Sequence, residues 1–180
     1  MSLLADVPIP WQALSYLRDG NERQRSALQA LQSLGVLDAL RDYTPVLVGT
    51  LPIAVDVADS DLDIVCEAPD LDTFEWQVTA AFGACAGFRV KRKLVKGVES
   101  VIASFVHAGF PIELFGQPRP VTQQDAYRHM VVEARLLESG GEEAREEIRR
   151  LKSGGLKTEP AFARYFGLEG DPYEALLRLY

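Results

Sequence analysis

Two aspartates interrupt an alternating apolar strand between residues 60 and 66. Leu62, Ile64 and Cys66 share one face of this strand, and Asp61, Asp63 and Val65 project from the other. Side chains two residues apart along a strand lie about 6.6 Å from each other. Two carboxylates at that distance repel each other and resist joint ionisation unless a cation lies between them. We therefore expect a cation site here; the alternative is a capped turn beside a solvated strand edge.

A third carboxylate, Glu113, lies in a later apolar strand that runs from residue 110 to 115. An acid inside a hydrophobic strand is unfavourable unless it is paired, exposed or bound to a metal ion. If this strand lies beside the first one, Glu113 joins Asp61 and Asp63 in a cluster of three carboxylates. The alternative is a salt bridge from Glu113 to the lysine-rich strand at residues 88–95.

A Gly-Thr pair, Gly49 and Thr50, ends a short β-type run upstream of the acids. Glycine permits a sharp turn, and the N–H groups after it, with the Thr50 hydroxyl, can bind phosphate oxygens. Carboxylate and phosphate oxygens are the ligands that Mg²⁺ prefers. Two such ions about 3.5–4 Å apart can activate an attacking oxygen and stabilise a leaving one. The pattern therefore predicts phosphate chemistry beside the acids.

The order of predicted elements is helices, then a mixed sheet, then helices, which is an α/β (α+β) architecture. We expect three segments in one compact unit: N-terminal helices over 1–44, a core over 45–120 and a C-terminal helical segment over 121–180. The last segment begins with a long helix from Thr122 to Gly140, and two or three shorter helices follow.

Composition limits the class of partner. The net charge of −7 argues against extended nucleic-acid binding, which needs a basic surface. Residues 49–75 contain eight acidic and no basic side chains, whereas residues 76–97 contain five basic and no acidic ones. There is no apolar run of about 20 residues, so we expect no membrane helix. The N-terminus does not have the pattern of a secretory signal, and a cytoplasmic location is expected.

The motifs resemble those of the nucleotidyltransferase superfamily of the DNA polymerase β type. The matching residues are Val48-Gly49-Thr50, Asp61-Leu62-Asp63-Ile64 and Ile112-Glu113-Leu114, and the match covers roughly residues 45 to 115. The segments PVLVGTLP and QDAYRHM also resemble an uncharacterised bacterial family of nucleotidyltransferase-like proteins.

This resemblance implies a mixed sheet with helices on one face and the acids on the other. Asp61, Asp63 and Glu113 would be the catalytic and metal-binding residues, with two Mg²⁺ ions as cofactors. Glu113 could assist deprotonation of the acceptor hydroxyl, which attacks the α-phosphorus of a nucleoside triphosphate in line while pyrophosphate leaves. The acceptor is unknown, and the acidic surface favours a small molecule or a protein. The expected nucleotide- and phosphate-binding residues are Gly49, Thr50, Ser60 and Lys93.

The residues after Gly49-Thr50 are apolar, where many members of the superfamily have a basic residue. The positive charge for phosphate must then come from elsewhere, with Lys91, Lys93, Lys96 and Arg119 as candidates. The same departure motivates an alternative function. In it, the protein is a catalytically attenuated module that binds a nucleotide or a protein; a further option is a partner in a toxin–antitoxin type pair.

Overall fold

Five strands form a single mixed sheet in the computed structural model, which describes residues 10–180. The strands are β1 (Val46–Val48), β2 (Leu62–Glu67), β3 (Ala86–Val95), β4 (Val98–His107) and β5 (Phe110–Gln117). Their order across the sheet is β1-β2-β5-β4-β3. β2 and β5 are parallel, and the other neighbouring pairs are antiparallel. The predicted α+β class with a mixed sheet is confirmed.

Seven helices of residues 10–180 pack around the sheet. They are α1 (Ser15–Arg18), α2 (Glu22–Leu34), α3 (Val36–Ala39), α4 (Leu71–Phe82), α5 (Asp125–Ser153), α6 (Thr158–Phe166) and α7 (Pro172–Leu177), with 3₁₀ turns at Arg41–Tyr43 and Val121–Gln123. Within the described part of the chain, no helix is both long and apolar enough to cross a membrane. The proposed division at residues 44/45 and 120/121 stays a prediction.

The long C-terminal helix differs from its prediction at both ends. It begins at Asp125, because Thr122 belongs to the preceding 3₁₀ turn. Gln124, the residue before the helix, donates its side-chain amide to the carbonyls of Cys66 (2.9 Å) and Arg119 (3.0 Å). These bonds tie the start of α5 to the end of β2. The helix also continues to Ser153 across a kink at Gly141, where the backbone is not helical.

One face of the sheet is covered by the N-terminal helices and α4. The first hydrophobic core forms here, from the apolar faces of β2, β4 and β5 packed against these helices. Phe74 and Val78 of α4 are fully buried in it. This packing agrees with the alternation seen in the sequence, because Leu62 and Ile64 are also fully buried on this side.

The C-terminal helices pack on the opposite face, at the end of the sheet formed by β1 and β2. A second core joins Val48 and Val65 to Met130 of α5 and Phe162 of α6. Helices therefore lie on both faces of the sheet, and the C-terminal helices cover part of the face that carries the acids. Asp63 lies on this face, at the edge of the area that these helices cover.

Candidate active site

Asp63 and Glu113 are direct neighbours on adjacent strands. β2 and β5 pair in parallel with Asp63 opposite Glu113. Both side chains are half-buried and belong to the face opposite the first core, since the residues on either side of each are buried in that core. The predicted adjacency of the two acidic strands is therefore confirmed.

Asp61 precedes β2 and is exposed, but its charge acts on the other two acids. Burial, Asp61 and Glu113 together raise the pKa of Asp63 to about 8. Burial, and then the charge of Asp61, raise the pKa of Glu113 as well, while Lys91 and Lys93 oppose that rise. Asp61 therefore acts on both of the other acids, and Glu113 acts on Asp63, as expected for like charges placed close together.

Gly49 lets the backbone turn close against Asp63. Its φ of +81° favours glycine, and a Cβ placed at this position would lie 2.9 Å from Oδ2 of Asp63. Any larger residue would therefore contact the carboxylate as well as straining the backbone. The close approach of the turn to Asp63 explains why the motif has a glycine at position 49.

Two cavities meet at Asp63. The glycine-side cavity has a volume of about 290 Å³, and the Glu113-side cavity about 320 Å³. Val48, Asp63 and Ala126 line both. The glycine-side cavity is also lined by Gly49, Thr50, Ser60 and Asp61 from the motif region, and by His129, Met130, Glu133, Lys152, Thr158 and Glu159 from α5 and α6. The Glu113-side cavity is also lined by Val65, Val95, Lys96, Glu113, Phe115, Gln117, Arg119, Gln124 and Asp125.

Four of the predicted site residues thus line the same cavity wall as Asp63: Gly49, Thr50, Ser60 and Asp61. The hydroxyl of Ser60 accepts a hydrogen bond from the backbone N–H of Val57 at 2.9 Å. This bond shapes the loop that leads into Asp61.

The basic residues expected to balance phosphate lie in different places. Lys91 and Lys93 are exposed on β3, on the same sheet face as Glu113. Neither residue lines the glycine-side cavity or the Glu113-side cavity. Lys96 pairs with Asp125 at 2.8 Å and Glu174 at 3.0 Å. Arg119 lines the Glu113-side cavity. For Glu113, the described residues form no ion pair within 4.0 Å, so the alternative of a lysine salt bridge is not observed.

Lys152 is a basic residue that sequence reasoning missed. It lies near the end of α5, lines the glycine-side cavity and donates from Nζ to the carbonyl of Val55 at 2.9 Å. Burial lowers its pKa, against the charges of Glu133, Asp56 and other nearby acids. The only signal in the sequence is a lysine directly after Leu151 on the apolar stripe of a helix, which is also the pattern of an ordinary boundary residue.

Two buried polar side chains of α5 face the same cavity. His129 donates from Nε2 to the carbonyl of Tyr173 at 3.0 Å, and its Nδ1 lies 3.6 Å from a carboxylate oxygen of Glu159. Glu133 is only 2% exposed, and its Oε1 has no hydrogen-bond partner. Burial, followed by the charge of Glu159, raises the pKa of Glu133 to about 8. The C-terminal helices therefore contribute acids of their own to this cavity.

The donor chemistry of Asp61, Asp63 and Glu113 fits a hard divalent cation. The three carboxyl groups offer oxygen ligands, and the charge of Asp61 raises the pKa of both Asp63 and Glu113, so that the ionised groups carry an unbalanced negative charge. As the side chains are placed, however, residues 10–180 contain no group of three or more His, Cys, Asp or Glu positioned to hold a metal ion. Binding of a cation by all three acids would therefore require side-chain movement at the cavity mouth.

A family model for a domain of unknown function, DUF4269, matches residues 29–179. The chain belongs to the DUF4269 family. This match covers the sheet, the candidate site and the C-terminal helices of the DUF4269 protein. No curated protein matches it significantly.

Solved structures with the same fold include a poly(U) polymerase and the GLD-2/RNP-8 complex. The Cid1 poly(U) polymerase with bound MgGTP matches with a TM-score of 0.54 and 15% identity, over 74% of this chain and 42% of that one. A mutant of the same polymerase bound to MgATP matches with a TM-score of 0.54 and 12% identity, over 87% and 49% of the two chains. The GLD-2/RNP-8 complex matches with a TM-score of 0.52 and 14% identity, over 89% and 60%. The DUF4269 protein thus has a nucleotidyltransferase-type fold and spans about half the length of these structures.

Proposed function

We propose that the DUF4269 protein is a Mg²⁺-dependent nucleotidyltransferase. It would move a nucleoside monophosphate from a nucleoside triphosphate to an acceptor that is a small molecule or a protein. The observation that carries this proposal is the pairing of Asp63 with Glu113 directly beside the Gly49 turn, in a sheet shared with nucleotide-bound polymerases. The net charge of −7 supports a small molecule or a protein over RNA as the acceptor.

The triphosphate would bind in the glycine-side cavity. The turn at Gly49 and Thr50 offers backbone N–H groups and a hydroxyl to phosphate oxygens. Lys152 lines the same cavity and supplies the positive charge that the apolar residues after Thr50 do not. This assignment replaces Lys93 as the principal phosphate ligand, because Lys93 is exposed on β3 at a distance from the turn.

Asp61, Asp63 and Glu113 would hold Mg²⁺, which supplies charge neutralisation for the triphosphate when bound. Asp63 lines both cavities, so a phosphorus atom placed beside it is open to attack from the Glu113 side while pyrophosphate leaves on the glycine side. Glu113, whose pKa is raised by burial and by Asp61, would accept the proton of the acceptor hydroxyl. The remaining work of the protein is to position the two substrates in line.

A transfer assay tests this proposal. The native protein is incubated with Mg²⁺ and each of four α-labelled nucleoside triphosphates, with itself, mixed small metabolites or an RNA oligonucleotide as acceptor. We expect labelled product with the native protein and none with Asp61→Asn/Asp63→Asn.

Asp59→Asn is the matched control, because Asp59 is an exposed acid of the same loop and lines neither cavity. Its transfer activity should equal that of the native protein. Nucleotide binding without transfer to any acceptor would favour the attenuated module, and the absence of both binding and transfer would contradict the proposal.

A further inference from the structure

Glu133 is a buried acid without a hydrogen-bond partner for one of its oxygens. It lies on α5, is 2% exposed, and contributes to the wall of the glycine-side cavity. The other charged and titratable groups that line this cavity are Asp61, Asp63, His129, Lys152 and Glu159. None of them pairs with Glu133 within 4.0 Å in the described part of the chain, although Lys152 is close enough for the two charges to interact.

An unpaired buried carboxyl group destabilises a folded protein. Leaving a polar group without its partner costs about 1–3 kcal/mol, and more when the group is charged. An apolar residue of similar volume would fit this position on α5 with less penalty. Glu133 is buried, has an unpaired oxygen and faces a cavity. We therefore expect it to contact a ligand rather than to stabilise the fold.

The cavity also indicates which part of a ligand meets Glu133. Gly49 and Thr50 follow β1, whereas Glu133 and Glu159 belong to α5 and α6, and all four line the glycine-side cavity. Carboxylates that hold no cation repel phosphate oxygens, so a triphosphate held at Gly49, Thr50 and Lys152 leaves Glu133 and Glu159 for the nucleoside part of the same molecule.

We infer that Glu133 is a specificity-determining residue that accepts a hydrogen bond from an N–H group of the nucleobase. This inference rests on the proposed function, since it assumes that a nucleoside triphosphate occupies the glycine-side cavity. Oε1 of Glu133 retains its lone pairs whether the carboxyl group is protonated on the other oxygen or ionised, so it accepts in either state. A base without a donor at the matching position would leave Oε1 unpaired and bind less tightly.

The test compares the native protein with Glu133→Met, whose side chain has no acceptor oxygen, by calorimetric titration in Mg²⁺. The probes are the four nucleoside triphosphates, their 2′-deoxy forms and inorganic tripolyphosphate, which has no base. We expect the substitution to weaken binding of the preferred nucleoside triphosphate about tenfold to hundredfold, because the N–H donor of the base is left without an acceptor. Its affinity for tripolyphosphate should be unchanged.

Stability provides a second readout that a structural role would move in the opposite direction. Glu133→Met should have an unfolding midpoint at or above that of the native protein, because it removes a buried carboxyl group that lacks a hydrogen-bond partner. Glu138→Met is the matched control: Glu138 is an exposed acid of the same helix, and its substitution should change neither binding nor stability.

Several results would overturn the inference. They are unchanged nucleotide affinity in Glu133→Met, an equal loss for tripolyphosphate, a loss confined to the ribose hydroxyl, or a lower unfolding midpoint than that of the Glu138 control. In each of these cases the proposed function stands if the native protein binds nucleoside triphosphates. If the native protein binds neither nucleotides nor tripolyphosphate, both the inference and the proposed function fail.

Discussion

Replacement of Gly49 by alanine should separate nucleotide binding from stability. The backbone at this position has φ +81°, and an L-residue in the left-handed region costs about 1–2 kcal/mol. The added Cβ would also lie 2.9 Å from Oδ2 of Asp63, where ordinary contacts begin near 3.4 Å. Because Oδ2 is the end of a rotatable side chain, we expect Asp63 to move by about half an ångström or more rather than the strand to shift.

Gly109→Ala is the matched control for the backbone strain. Gly109 has φ +82° in the turn between β4 and β5, and a Cβ there meets nothing within 4 Å. Both variants should therefore lose about 1–2 kcal/mol of stability in urea unfolding. Only Gly49→Ala should also bind magnesium nucleoside triphosphate more weakly, by tenfold or more, because it displaces a carboxylate of the site.

Calorimetric titration and urea unfolding of the two variants, under the same conditions, provide the comparison. Equal nucleotide affinity in Gly49→Ala and Gly109→Ala would refute the reasoning, since the contact with Asp63 would then have no bearing on binding. A stability loss in Gly49→Ala several kcal/mol greater than that in Gly109→Ala would also refute it, because it would mean that Asp63 cannot move.

Three further substitutions test other parts of the structure. Burial raises the pKa of Glu133 from 4.5 to about 8, so the folded state binds this proton more tightly than the unfolded state does. Glu133→Gln cannot titrate at this position. The native protein should therefore lose stability relative to this variant as the pH rises from about 4.5 to 8. The slope should be up to about 1.4 kcal/mol per pH unit in urea unfolding, and a pH-independent difference would be contrary evidence. Lys152→Met should weaken tripolyphosphate binding about tenfold in calorimetric titration, and Lys93→Met should weaken it less. A larger loss of affinity in Lys93→Met would show that Lys93, and not Lys152, binds the phosphate groups. Arg23→Met should lower the free energy of unfolding by about 3–5 kcal/mol, since it leaves Asp56, 6% exposed and 2.8 Å from Arg23, buried without its partner. Arg23→Met/Asp56→Asn should recover part of that loss, and no recovery would show that the ion pair is not its cause.

The motif strands could be predicted because their signal is local. Alternation around Asp61 and Asp63 reflects a strand with one face in a core, and that core is observed. The isolated acid at Glu113 follows the same rule. Their pairing across β2 and β5 is a long-range contact that alternation alone does not encode, and it was expected from the resemblance to nucleotidyltransferases.

The residues contributed by the C-terminal helices could not be predicted. Glu133 and Lys152 are separated from Asp63 by about 70 to 90 positions, and a charged residue on an amphipathic helix is ordinarily solvent-exposed. Only the packing of α5 and α6 on the face that carries Asp63 turns these positions toward a cavity. The predicted helix start at Thr122 was wrong for a related reason: Gln124 instead bonds to the backbone of distant residues, and the helix begins after it.

The central claim is that the acids beside the Gly49 turn bind a magnesium nucleoside triphosphate. Calorimetric titration of the native protein and of Asp61→Asn/Asp63→Asn, each with Mg²⁺ and with a chelator, tests it most directly. The account predicts that the native protein binds the nucleotide tightly only when Mg²⁺ is present, and that Mg²⁺ makes no difference to the variant. Equal, magnesium-dependent binding by both proteins would contradict it.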